Sequence, residues 1–160
     1  MPSFQNNINS PNPSVWTPFT TAVTAVTTNP TFGSGSTFTS FYLQNGKFLF
    51  LNITINNASA GASPGAGLYL LNIPSAFTIN MTIAPFSSDL CTGPLGPTVI
   101  YSSTFGSGPG MSFTYDSTHY YMMLYKGYQG QTYTYGFYQP GWYDTTNPSV
   151  LSANLTIPIN

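Results

Sequence analysis

Glycine and proline set the first limit on what this chain can fold into. Its 160 residues contain 15 glycines and 14 prolines. They recur every ten residues or so from Val15 onward. A proline inside a helix removes a hydrogen bond and clashes with the preceding turn, and an interior glycine costs about 1 kcal/mol. Long helices are therefore excluded. Thr, Val, Ile, Tyr and Phe dominate the stretches between, and these residues suit pleated strands.

The clearest strand signal is alternation. In Lys47–Ile55, Leu49, Leu51, Ile53 and Ile55 share one face, while Phe48, Phe50, Asn52 and Thr54 share the other. In Leu151–Ile159, Leu151, Ala153, Leu155, Ile157 and Ile159 point inward, with Ser152, Asn154 and Thr156 outward. Gln131–Phe137 sets Tyr133, Tyr135 and Phe137 against Thr132, Thr134 and Gly136. Further strands are predicted at Thr37–Leu43, Leu68–Asn72, Thr78–Ile83, Thr98–Ser102, Met111–Tyr115 and His119–Tyr125. Asn45-Gly46 predicts a tight hairpin, because both residues tolerate positive φ. Pro74 should stop the strand before it. Gly33-Ser34-Gly35, Ser63-Pro64-Gly65 and Phe105–Gly110 read as loops. About eight to ten short strands with Gly, Pro and Asn turns predict an antiparallel, jelly-roll-like β-sandwich. Residues 1–14 are polar, rich in Pro and Asn, and read as a linker or N-terminal junction. Residues 15–160 read as a single sandwich domain.

Charge narrows the function classes. The five charged residues are Lys47, Lys126, Asp89, Asp116 and Asp144. An average domain of this length carries about 40. Nucleic-acid binding needs a basic patch, which two lysines without arginine cannot form. No apolar run reaches the roughly 20 residues of a membrane-spanning helix. The single cysteine, Cys91, leaves no intrachain disulfide and is expected to be a buried, inert thiol. The first residues lack the basic start and apolar run of a signal peptide. With three Asp, one His and no Glu, neither a cofactor nor a metal is expected. A carboxylate pair for glycan cleavage is improbable for the same reason.

Three constellations invite a chemical reading. Asp116-Ser117-Thr118-His119 holds an acid, a hydroxyl and an imidazole, but so local a cluster reads better as a turn between strands. Tyr133–Tyr143 is the best ligand-binding candidate, with Tyr138, Trp142 and Tyr143 beside Pro140-Gly141. Aromatic rings, Tyr hydroxyls and amides complement the C–H faces and hydroxyls of sugars. The same Trp142 would equally plug the end of the sandwich or a subunit interface. Asn52, Asn57, Asn80 and Asn154 each head an Asn-x-Ser/Thr triplet, a frequency that chance accounts for in a chain of this composition.

The aromatic content is high, with 12 Tyr and 12 Phe. Phe48 and Phe50 oppose Leu49 and Leu51, so one sheet face should meet the core and the other a partner. Burial of a flat face in a three-fold assembly would absorb the excess, so a homotrimer is expected.

The order of motifs in Trp16–Pro74 resembles the terminal domain of phage tail fibres and related viral surface proteins. The residues that carry the resemblance are Trp16-Thr17-Pro18-Phe19-Thr20, then Asn29-Pro30-Thr31-Phe32-Gly33-Ser34-Gly35. Phe41-Tyr42, Gln44-Asn45-Gly46-Lys47 and Leu70-Leu71-Asn72-Ile73-Pro74 follow. Asp144-Thr145-Thr146-Asn147-Pro148 with Leu151–Ile157 also resembles that family's final loop and strand. The resemblance implies a trimeric jelly roll on a virion surface or fibre tip that attaches to host glycans or receptors, without catalysis. Members commonly carry Arg or Lys beside the Tyr-x-x-x-Gly motif, and here those positions are uncharged. The alternative is a cellular, extracellular adhesin or filament subunit with a lectin-like sandwich. Either way the partners are further copies of the chain and a host surface or other virion proteins, outside the cell or on the virion.

Overall fold

A computed structural model describes residues 15–84, 95–102, 106–124 and 148–160. Among them there is no helix, and every strand pairing is antiparallel. The strands are β1 (Thr17–Pro18), β2 (Val23–Ala25), β3 (Thr37–Asn45), β4 (Phe48–Asn57), β5 (Tyr69–Asn72), β6 (Gly96–Ser102), β7 (Gly106–Thr114), β8 (His119–Leu124) and β9 (Ser149–Pro158). They form one ladder in the order β1-β3-β4-β9-β6-β7-β8-β5-β2.

The ladder folds over on itself. Its two terminal strands, β1 and β2, are separated in sequence only by residues 19–22, and those residues stitch both ends together. The Phe19 N–H donates to the Ser40 carbonyl at 3.0 Å. Thr21 donates its hydroxyl to that of Ser40 at 2.6 Å, and both residues are buried. Ala22 N–H donates to Asn72 Oδ1 at 2.6 Å, and Asn72 Nδ2 donates to the Thr20 carbonyl at 3.2 Å. Ser40 lies on β3 and Asn72 on β5, so a four-residue bridge joins opposite ends of the ladder. Short, tied terminal strands leave little open edge for misassembly. The pairings also nest: β4 with β9, β5 with β8, β6 with β7.

The core lies between the two halves. Leu49, Leu51, Ile53 and Ile55 of β4 and Leu151, Ala153, Leu155 and Ile157 of β9 are buried against Tyr69, Leu71 and Tyr120 of β5 and β8. This two-layered arrangement is that of a β-sandwich. Both long alternating strands present the faces that their sequences predict. Fully burying each such side chain is worth about 1.5–3 kcal/mol. Ile73, Ile79, Leu95 and Ile159 extend the core beyond the strands. Tyr42 closes one side through edge-on contacts with Phe19 and Phe77 at 6.1 and 5.4 Å. A second, smaller cluster joins Phe113 and Tyr121, whose rings stack at 5.6 Å, with Leu68, Leu70, Met111 and Tyr115. Tyr120 and Tyr121 thus serve opposite faces of β8.

Three expectations need correction. The hairpin is centred on Gly46-Lys47, one residue later than Asn45-Gly46, because Asn45 pairs with Phe48. Gly46 takes the positive φ of 57°, and this register keeps the Leu49–Ile55 face inward. Thr78–Ile83 is not a strand. Only Ile79 makes a bridge, to Ile159, and Asn80 then bends the chain. Its Oδ1 accepts the Thr82 and Ile83 N–H groups, while its carbonyl accepts those of Ile83 and Ala84. Conversely, Gly106–Gly110 is not a loop but the first half of β7, paired with β6. Pro109 is tolerated there because the ladder to β8 starts only at Gly110, so on that side no donor is needed. β1 and β2 were not expected at all.

Burial of Tyr120 makes stability sensitive to alkali. The residue is fully enclosed, and its phenol is pushed far above its ordinary value by desolvation. The neutral phenol is kept in the folded chain while the unfolded chain ionises. Its contribution is therefore constant below about pH 10 and falls by about 1.4 kcal/mol per unit above it. Thermal unfolding should show a near-constant melting temperature from mildly acidic to neutral pH and a steep fall above pH ~10. Replacing Tyr120 with Phe should flatten the alkaline limb.

Candidate functional site

Tyr138, Trp142 and Tyr143, the ligand-binding candidates, lie outside the described residues, as do Cys91 and the predicted strand Gln131–Phe137. The remaining candidates are placed.

Asp116 and His119 are a turn. Asp116 Oδ1 accepts the Thr118 N–H at 2.7 Å, the Thr118 hydroxyl at 2.8 Å and the His119 N–H at 2.8 Å. His119 Nδ1 lies 3.0 Å from both carboxylate oxygens. Partial burial works to raise the Asp116 carboxyl. Hydrogen bonds from the Thr118 N–H and hydroxyl and from His119, with the imidazole's charge, outweigh it and hold the carboxyl below its ordinary value. The carboxylate thus spends its acceptors on closing the turn that leads from Thr114 into β8. The Thr118 and Ser117 carbonyls extend the same turn's role, accepting the Ile73 and Ile79 N–H groups at 3.0 and 2.7 Å. The Thr118 hydroxyl donates to Asp116 Oδ1 and also lies 3.0 Å from His119 Nδ1, so acid, hydroxyl and imidazole are held together within the one turn. Among the described residues, no three His, Cys, Asp or Glu side chains gather to hold a metal.

The Asn29–Gly35 motif is structural. Gly33 N–H donates to Asn57 Oδ1 at 3.3 Å, and Ser34 N–H to the Ala60 carbonyl at 2.8 Å. Ser36 donates its hydroxyl to the Gly33 carbonyl at 2.7 Å and accepts the Ala58 N–H at 2.8 Å. These bonds pin the segment before β3 onto the end of β4. No helix N-terminus follows, as a phosphate site of the glycine-rich type requires.

The four Asn-x-Ser/Thr asparagines differ in access. Asn57 is 1% exposed and cannot present its amide to a modifying enzyme once folded. Asn80 is committed to its turn. Asn52 donates to Asn154 Oδ1 across the β4–β9 pair at 2.8 Å. Only Asn154 combines an exposed position with an uncommitted Nδ2.

Exposed apolar side chains are the surface feature that sequence reasoning only half found. Phe48 is 46% exposed, as its alternation predicts, but Trp16 is also 47% exposed. Trp16 gains meaning only from the β1–β3 pairing, which no periodicity in a two-residue strand could reveal. No helix among the described residues is long and apolar enough to cross a membrane. In comparisons with known proteins, no family model, curated protein or solved structure matches this chain.

Proposed function

We propose that this chain is a non-enzymatic virion surface protein. In this reading it is a homotrimeric jelly roll at a fibre tip or on a capsid, attaching to host cells through glycans or a surface receptor. The observation that carries the reading is the nesting of β4–β9, β5–β8 and β6–β7. Nested antiparallel pairs are the mark of a long hairpin rolled up, the logic of jelly rolls, which recur in capsid and lectin domains. The motif resemblance in Trp16–Pro74 points the same way, and so does the near-absence of charge. An exterior of Ser, Thr, Asn and Gln is indifferent to salt and mild acid, as an extracellular particle requires. The adhesin-filament alternative fits less well. Strand donation needs a long open edge, and the terminal strands here are two and three residues long.

The test is binding of the purified protein to an array of cell-surface glycans at low and high salt. Binding to a defined subset, unchanged by salt, is the expected result. Binding to none, together with no adhesion to intact cells, would overturn the attachment role. Turnover of any arrayed polysaccharide would overturn the non-catalytic one.

A further inference from the structure

The outward face of β3, β4, β9 and β6 has an unusual composition. None of these strands, nor β1, contains a charged residue. At one end of the face, Pro18, Phe41, Leu43, Phe48 and Phe50 come together. Pro18 pairs with Phe41, Leu43 with Phe50, and Phe41 lies beside Asn52. Continuing the β1 register by one residue sets Trp16 opposite Leu43. At the far side, Val99 is 53% exposed and pairs with the outward Ser152. Isolated exposed apolar residues are ordinary, but a contiguous aromatic patch on a soluble domain marks an interaction surface.

The middle of the face says what kind of surface. Asn52 Nδ2 donates to Asn154 Oδ1. That bond leaves one acceptor, Asn52 Oδ1, and one donor, Asn154 Nδ2, side by side. The pair is therefore complementary to itself: the donor of one copy fits the acceptor of the next. The strands of the face carry no charge and Lys47 stands only at its rim, in the β3–β4 turn, so like copies meet little repulsion and a charged partner finds nothing on the strands to pair with. The size also fits. Four strands of seven to ten residues, about 4.8 Å apart and about 24–34 Å long, present roughly 590 Å² of flat area. A stable interface takes roughly 800 Å² from each partner, which ridged side chains over such an area can supply.

We infer that this outward face, from Trp16 and Phe48 across Asn52 and Asn154 to Val99, is where copies of this chain meet. The inference rests on the trimer proposed above and assigns its surface. Three copies of the face turned toward a three-fold axis bury the aromatic patch and satisfy the Asn52–Asn154 pairs head to tail.

The experiment is light scattering of the wild type, Phe48→Lys and Thr82→Lys, each checked for folding by far-UV circular dichroism. Phe48 is half exposed, so a lysine there is compatible with the folded subunit. Thr82 is exposed in the turn after Asn80 and belongs to none of the four strands of the face. The expected result is a trimeric wild type, a monomeric folded Phe48→Lys and a trimeric Thr82→Lys. A trimeric wild type whose Phe48→Lys variant stays trimeric would overturn the assigned face alone. A wild type that is monomeric at every concentration would overturn the trimer and the face together. If Phe48→Lys does not fold, Asn154→Arg decides by the same readout, because Asn154 is exposed and makes no core contact.

Discussion

Replacing Ile53 with alanine is expected to lower the unfolding free energy by about 3–4 kcal/mol, and the melting temperature by roughly 10 °C. Ile53 is 0% exposed and stands at the middle of the most extensively paired strand. The size of the loss follows from its neighbours. Across β3 it faces Ser40, and across β9 it faces Ala153. Both are small, and Ser40 is fixed by its bond to Thr21. Neither can expand into the space that the isoleucine vacates, so the cavity remains and its cost adds to the lost transfer energy. The outward neighbour offers the contrast. Thr54→Ala, one residue along on the outward face, should change the stability of the subunit by less than about 0.5 kcal/mol. Denaturant unfolding of the two variants measures both. Equal effects would mean that the inward and outward faces of β4 are not distinct.

Gly33→Ala is expected to cost about 3 kcal/mol or more, for a different reason. Gly33 has no need of positive φ. Its constraint is contact: a β-carbon there would run into the Ala58 carbonyl. That carbonyl is backbone, held where Ser36 bonds the Ala58 N–H, and cannot yield as a flexible side chain would. Relief requires the whole Asn29–Gly35 segment to lift from β4. It would break the Gly33 N–H bond to Asn57 and the Ser34 bond to Ala60. Asn57, buried, would lose a partner that water cannot replace without opening the structure. Gly46→Ala makes a useful comparison. Gly46 has a φ of 57° but open space around it, so only backbone strain of about 1–2 kcal/mol is expected. Chemical unfolding that ranked Gly46 above Gly33 would contradict close approach as the role of the motif.

What could be read in advance divides along physical lines. Phe48–Asn57 and Ser149–Pro158 were legible because one buried face imposes a period of two over many residues. Thr17–Pro18 and Val23–Ala25 were not, because two or three residues carry no period and their pairing comes from partners far along the chain. Asn72 is the extreme case. Its amide closes the ladder on Thr20 and Ala22, and nothing local to Leu70–Pro74 announces that. Ile79, Met81 and Ile83 alternate as a strand would, yet the Asn80 carboxamide competes for the backbone and wins. The opposite error at Gly106–Gly110 has a related cause. Glycine suggests a loop by its freedom, but the β6 backbone supplies a ladder that needs no side chains. On the surface, Phe48 and Phe50 announced an outward apolar face. Trp16, Pro18 and Phe41 joined it only through the β1–β3 register.

Mass in solution is the measurement that bears most directly on the proposed trimer of neutral β-sandwiches. Light scattering over a concentration series of the wild-type chain should give a constant mass near three times 17.3 kDa. A mass near 17.3 kDa at every concentration would contradict it and leave the aromatic face without a partner of its own kind.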